Sequence, residues 1–433
     1  MVVVFSKADA PRIWKELIAR LGVLLCLCIL FSNSNALATG DNGLLIGSGR
    51  LHPYIQTEAH YVLNPHRIPP GKTSTQGPLF VLKPGTDFIQ PSNTFQLKFN
   101  GYAELRYYAI DLMSDLPLLA GSAKLDLSLN KESTLPIIFS AGFRRTDNPA
   151  SQAVSYSLTN DLAQLSMDGT WKPDGGALSV RLRLPLDYLT FGAGGAESNR
   201  LQAYKSAFGS LDHLNISPIL RIAWKFFPKT AVVFDAFGTY THYTESTSKS
   251  TDMDFGGVSL GVMGAITPKI STIIKAGWAQ PILASQFSTD AQTFVGQLDV
   301  GYIASQMMEF TVGMGREAKA SPLYNYHKDY YGKAGILLKL GTQLVVDVDF
   351  EFRFIEFGSP SDQASNFKPR SDVVAKPLAV VSYIVKDWLT LSLHNRFEYR
   401  DTGEYSAIGN PDLPPVNGSY VFYDAFFRID ARY

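Results

Sequence analysis

Cysteine is nearly missing from this chain of 433 residues: Cys26 and Cys28 are the two present, both in one short apolar run near the N-terminus. Large residues precede them, so neither sits in a lipoprotein cleavage box. Beyond that run there is no thiol for a disulfide or a thiolate metal site. Net charge is missing too. The 39 Lys+Arg balance 39 Asp+Glu, which points neither to nucleic acid nor to an anionic surface. No apolar stretch after the N-terminus reaches the roughly 18 residues a spanning helix needs. Mean hydropathy is close to zero, too polar for a polytopic helical membrane protein. The motifs of catalysis are also absent. Gly192 to Gly195 lies in a loop with no helix after it, so it is not a phosphate-cradling turn. The histidines (His52, His60, His66, His213, His242, His327 and His394) are scattered, with none at metal spacing on a helix. His52 and His60 share a strand face with Glu58, a slight hint of metal or proton-transfer chemistry. Polar side chains on that face have a simpler reason, given below. The expectation is no enzyme, no cofactor and no metal.

The first segment reads as an export signal. Arg12, Lys15 and Arg20 precede the apolar run Leu21 to Phe31, and Ala36-Leu37-Ala38 supplies small residues for cleavage. The organisation expected is a signal peptide over 1–38, a short periplasmic segment over 39–49, and one domain over 50–433. The short segment leaves no room for an N-terminal plug.

What is abundant is alternation. Phe95, Leu97, Phe99, Ala103, Leu105 and Tyr107 share one face of a strand. Leu125, Leu127 and Leu129 interleave with Lys124, Asp126 and Ser128. Leu178 to Leu186 interleave with Ser179, Arg181, Arg183 and Asp187. Leu344 to Phe354 interleave with Asp347, Asp349, Glu351 and Arg353, and Leu389 to Tyr399 with Arg396 and Glu398. Period two is the signature of a strand with two unlike faces. The runs reach ten residues or more, beyond the five or six usual in soluble sheets and suited to the 9–11 that a tilted strand needs to cross a bilayer.

The connections alternate short and long. Short turns are expected at Pro91-Ser92-Asn93, Lys131 to Thr134, Lys172 to Gly176, Pro228-Lys229, Pro268-Lys269, Ala304-Ser305, Gly341-Thr342 and Lys386-Asp387. Long polar loops are expected at Asn64 to Gln76, Thr146 to Asn160, Ala193 to Asp212, Glu245 to Asp254, Ala318 to Lys328, Gly358 to Arg370 and Thr402 to Ser419. Short periplasmic turns with longer extracellular loops are the layout of bacterial barrels. Keeping that parity requires one strand ending at Phe227, since two between Arg200 and Phe227 would put Pro228-Lys229 outside. The fold class predicted is all-β: a single closed antiparallel transmembrane β-barrel of about 18 strands, give or take two. Both chain ends would lie in the periplasm.

The final stretch, Val421 to Tyr433, carries a resemblance. Tyr423, Ala425, Phe427, Ile429, Ala431 and Tyr433 are apolar at every second position, and Asp424, Arg428, Asp430 and Arg432 lie between them. This resembles the closing strand of Gram-negative outer-membrane β-barrels of porin-like type. The resemblance implies the bacterial outer membrane and its lipid as surroundings. It also implies the barrel assembly machinery as a partner, with Tyr423, Phe427, Ile429 and Tyr433 as the assembly signal. A second resemblance rests on Phe80-Val81-Leu82-Lys83-Pro84-Gly85 and on Phe95 to Tyr108, ending Glu104-Leu105-Arg106-Tyr107-Tyr108. These resemble the opening hairpin of β-barrel porins found with exopolysaccharide secretion systems.

On this parity the pore-lining candidates are Arg106, Lys124, Arg181, Arg183, Arg221, Lys225, Asp235, Asp347, Asp349, Glu351, Arg353, Arg396, Glu398, Arg428 and Asp430. Aromatics near strand ends (Phe226 and Phe227, Trp278, Tyr302, Trp388, Phe397 and Tyr399) suit the membrane interfaces. Unpaired buried charge is very costly, so a face this charged implies a watered lumen. Basic residues gather from Arg181 to Lys225 and acidic ones from Asp347 to Glu351. Either the two walls oppose each other as a transverse field, or mixed charges merely pair and solvate the wall. The function expected is a channel for hydrophilic solute, a secreted polysaccharide being what the hairpin resemblance implies. The alternative is a barrel whose outer loops act as an adhesin or assembly surface.

Overall fold

Strands with one apolar and one polar face need something to bury the apolar side and something to pair every edge. The computed structural model meets the second need by closure. It describes residues 43–433 apart from 66, 68–73, 93, 110–117, 149–157, 174–175, 194–211, 245–252, 283–291, 322–324, 359–369 and 406–415. The segment expected to be an export signal, and most of every expected long loop except Ala318 to Lys328, lie outside the described residues. No helix occurs among those described.

Leu44–Tyr433 forms one compact unit. Its sheet holds 20 strands. Leu44–Ile46 is a short one folded back on the start of Gly49–Leu63. His213–Ile216 and Ile219–Phe227 are two halves of one stave, interrupted at Ser217-Pro218, and both pair with the strands on either side. That leaves an 18-stave antiparallel ring. The opening strand Gly49–Leu63 pairs with the closing strand Tyr420–Arg432, Glu58 opposite Arg428 and His60 opposite Phe426, which closes the barrel without an edge. The expected single strand ending at Phe227 is the second half of that interrupted stave.

The turns at one end are tight. Register shifts fall just before Pro228-Lys229, Pro268-Lys269, Gln306-Met307 and Asp387-Trp388. A bulge at the mouth of a hairpin increases local twist, and its repetition curls this rim. Two of these turns lie one or two residues later than the alternation suggests, because the bulge adds a residue to the strand. Gly341 has φ 70°, the left-handed conformation its turn requires.

One expected loop is corrected. Ala318 to Lys328 is not a long polar connection: Met308–Ser321 and Asn325–Leu340 stay paired as far as Ser321 opposite Asn325. Tyr326 and Tyr330 continue the period of two across this polar stretch, and the ladder continues with them. Two long connections have apolar residues that mask their turn chemistry, between Tyr108 and Leu118 and between Gln280 and Thr293.

The outward face is apolar and uncovered. Phe143, Leu165, Leu260, Val312, Phe350 and Leu393 are among its exposed side chains. In water such a surface would drive association. In hydrocarbon it is at home, and a closed barrel is the only β architecture that leaves no unpaired backbone there. Trp171, Trp224, Phe227 and Trp388 mark one rim and Tyr188, Tyr240, Trp278 and Tyr399 the other. The barrel belongs in the bacterial outer membrane.

Candidate functional site

The inner wall holds the chemistry. Ion pairs between staves that are not neighbours identify the concave face. Lys275 Nζ reaches Asp235 Oδ2 at 2.9 Å across Met253–Thr267. Lys333 Nζ reaches Asp299 Oδ1 at 2.8 Å across Met308–Ser321. Side chains two staves apart meet only where curvature brings them together.

At intervals around the wall carboxylates are buried, and each is held by two cations or by a cation and a histidine. Asp372, with no exposed surface, accepts from Arg370 Nε at 2.7 Å and Arg400 Nε at 2.8 Å. Asp424 lies 2.8 Å from His60 Nδ1 and accepts from Arg396 at 2.9 Å. Glu58 lies 2.9 Å from His60 Nε2 and accepts from Arg428 Nε at 2.7 Å. Glu104 pairs with Lys83 at 3.0 Å and with Arg106. Asp329 takes Arg353 at 2.6 Å, and Asp235 takes Arg221 at 2.6 Å as well as Lys275. Pairing from both sides is what makes burial of these charges tolerable. His60 and His394 stack on the two faces of Phe426, with centroids 4.2 and 4.3 Å away. His60, considered above with Glu58 for metal or proton-transfer chemistry, thus has both ring nitrogens against carboxylates. Among the described residues no group of His, Asp or Glu is arranged to hold a metal ion.

By strand register, every pore-lining candidate is on the inward face: Arg106, Lys124, Arg181, Arg183, Arg221, Lys225, Asp235, Asp347, Asp349, Glu351, Arg353, Arg396, Glu398, Arg428 and Asp430. They divide into two groups. Most are paired: Lys124 with Asp126 at 2.9 Å, Arg181 with Asp168, Glu351 with Arg353, Glu398 with Arg67 at 3.6 Å, and Asp430 with Gln56 at 2.6 Å. Arg183, Lys225, Asp347 and Asp349 have no ion-pair partner among the described residues. Their staves lie on roughly opposite sides: Leu344–Phe357, which carries the two aspartates, is nearly half-way round the ring from Leu178–Ala193 and Ile219–Phe227, which carry Arg183 and Lys225.

Several wall residues escaped the sequence reading: Asp87, Asp168, Asp329, Asp372 and Arg144. Each lay in a recognisable strand, and parity alone would have placed it. Arg144 shows the difficulty, because Arg144 and Arg145 are adjacent and alternation must send them to opposite faces. Arg145 points outward and pairs with Asp161 through two bonds of 2.7 and 2.6 Å. Arg144 faces in. On the closing strand, Tyr423, Phe427, Ile429 and Tyr433 all face outward, and Tyr433 is tied down by its backbone N–H to Pro53 O at 2.9 Å.

No family model and no characterised sequence matches the chain. Among solved structures it is similar to the FrpB iron transporter of Neisseria meningitidis, with TM-score 0.48, 7% identity and coverage of 88% of this chain and 81% of that one. It is also similar to the siderophore receptor PirA of Pseudomonas aeruginosa, with TM-score 0.45, 10% identity and coverage of 89% and 80%. Likeness at this level says nothing about what this chain carries.

Proposed function

We propose that this barrel is a channel that passes hydrophilic solute across the outer membrane, conducting rather than catalysing. The observation that carries the reading is the inner wall itself. Lys124, Arg144, Arg181 and Arg183 have their side chains exposed within a closed ring, where charge stays ionised only in contact with water. A ring of roughly 18 staves is wide enough to leave an aqueous path. The unpaired Arg183 and Lys225 on one side, with Asp347 and Asp349 across from them, would set up a field over that path. Secreted polysaccharide is the cargo class we infer, from the resemblance of Phe80 to Gly85 and Phe95 to Tyr108 to the opening hairpin of exopolysaccharide-associated porins. Hydrogen-bonding walls such as these suit a hydroxylated polymer.

Planar-bilayer recording tests the reading. Purified barrel should give discrete, ohmic conductance steps in KCl. Silence at every voltage from correctly folded protein would refute an open channel.

A further inference from the structure

On staves three to six round from Gly49–Leu63 two arginines are left without ion pairs among the described residues, and a recess opens there. It lies on the inner face of four consecutive staves, Leu118–Leu129, Ile137–Asn148, Leu158–Trp171 and Leu178–Ala193, and has a volume of about 240 Å³. Small residues make its floor: Gly142, Ser140 and Ser166 leave a dent between longer neighbours. Arg144 stands at one end and Arg183 at the other. Neither has an ion-pair partner among the described residues, in contrast to Arg181 and Arg145 beside them, which are bound to Asp168 and Asp161.

Register measures the span. Arg183 lies opposite Asp168, and Asp168 opposite Ile138. From Ile138 to Arg144 on that strand the backbone rises roughly 20 Å at about 3.4 Å per residue. The two arginines therefore enter the recess from well-separated stations along it, so each guanidinium can take its own acidic group. Between them Gln164 Nε2 donates to Asp187 Oδ1 at 3.0 Å, and Ser122, Ser140 and Ser166 add hydroxyls. Asp187 opposes any anion. Lys124 in the lining is already paired with Asp126, yet Arg144 and Arg183 still outnumber Asp187, and the carboxylate sits mid-groove, where it can accept from hydroxyls.

We infer that this recess is a binding subsite for an anionic sugar chain, with Arg144 and Arg183 each taking an acidic group and the Gln164–Asp187–serine row taking hydroxyls between them. Guanidinium groups recognise carboxylate and sulfate strongly because each bond is charge-assisted and planar. The spacing selects an oligomer that bears charge on more than one residue over a single small anion. This rests on the channel reading and specifies its cargo as an acidic, not a neutral, polymer.

The test is saturation-transfer NMR on the detergent-solubilised full-length barrel, with tetragalacturonate as probe and maltotetraose as the uncharged control. The native protein should bind the first and not the second. Arg144→Gln combined with Arg183→Gln should weaken tetragalacturonate binding at least tenfold. Arg145→Gln, on the outer face, should leave it unchanged, and heat-modifiable migration checks that each variant is folded. Equal binding of the two oligosaccharides, or undiminished binding by the folded double variant, would overturn the subsite. Bilayer recording separates this from the channel reading. Conductance with no galacturonate preference rejects the subsite alone, and binding without conductance rejects the open channel while the subsite stands.

Discussion

Lys275 and Asp235 meet at 2.9 Å although a complete stave separates them, and Gly261 is what lets the lysine cross. Gly261 sits directly beside Lys275 in the ladder. A Cβ there would overlap the backbone oxygen of Ile274 and the Cα of Lys275. At Gly313, under the Lys333–Asp299 pair, the nearest atoms to an added Cβ belong to those two side chains and none to the backbone.

The two glycines should therefore behave differently. Gly261→Ala forces the backbone and should cost roughly 1–3 kcal/mol, as overpacking does. Gly313→Ala can be absorbed by rotation of exposed Lys333 and should cost less than about 1 kcal/mol. Urea unfolding in lipid vesicles measures both, and equal losses would refute the distinction.

Asp372 offers a sharper contrast. It is fully buried between Arg370 and Arg400. Asp372→Ala leaves two guanidinium groups facing each other, a loss of about 3 kcal/mol, at the low end for a broken buried pair because both arginines retain some exposure. Lys319→Ala removes a half-exposed partner of Glu317 and should change stability by less than about 0.5 kcal/mol. The same vesicle unfolding series checks both.

Adjacent positions on Leu178–Ala193 should respond oppositely to charge. Leu184 faces lipid and Arg183 the lumen. Leu184→Arg should destabilise the barrel by about 2–4 kcal/mol if it lies near the bilayer midplane. Arg183→Leu should leave the fold intact, and its effect should fall on ion selectivity. A Leu184→Arg variant as stable as the native protein would mean that the outward face had been misassigned.

Neutralising Asp347 and Asp349 together should shift the reversal potential in a KCl gradient toward anion preference by several-fold, because no cation among the described residues pairs with either. An unchanged reversal potential would remove the transverse field from the channel reading.

Tyr433→Ser should lower the fraction of heat-modifiable, membrane-embedded protein. The ring is exposed on the outer face and the residue's N–H closes onto Pro53. Normal insertion of that variant would count against the assembly role of Tyr423, Phe427, Ile429 and Tyr433.

Sequence alone determined the class of fold and the strand face on which the pore-lining candidates lie, because a strand alternates its side chains locally whatever surrounds it. The runs around Arg181, Asp347 and Val421 were legible for that reason, and the parity of turns led to the interrupted stave that ends at Phe227. The paired ladder through Ala318 and Lys328 was not legible, since polar composition mimics a loop when only local chemistry is weighed. Charge partnership was hidden too. Lys275 finds Asp235 across a glycine, Asp372 gathers two arginines, and His60 and His394 sandwich Phe426 from neighbouring staves. Arg144 and Arg183 remain unpaired a groove apart. These outcomes depend on register between strands and on the curvature of a closed wall, long-range quantities that only the assembled barrel sets.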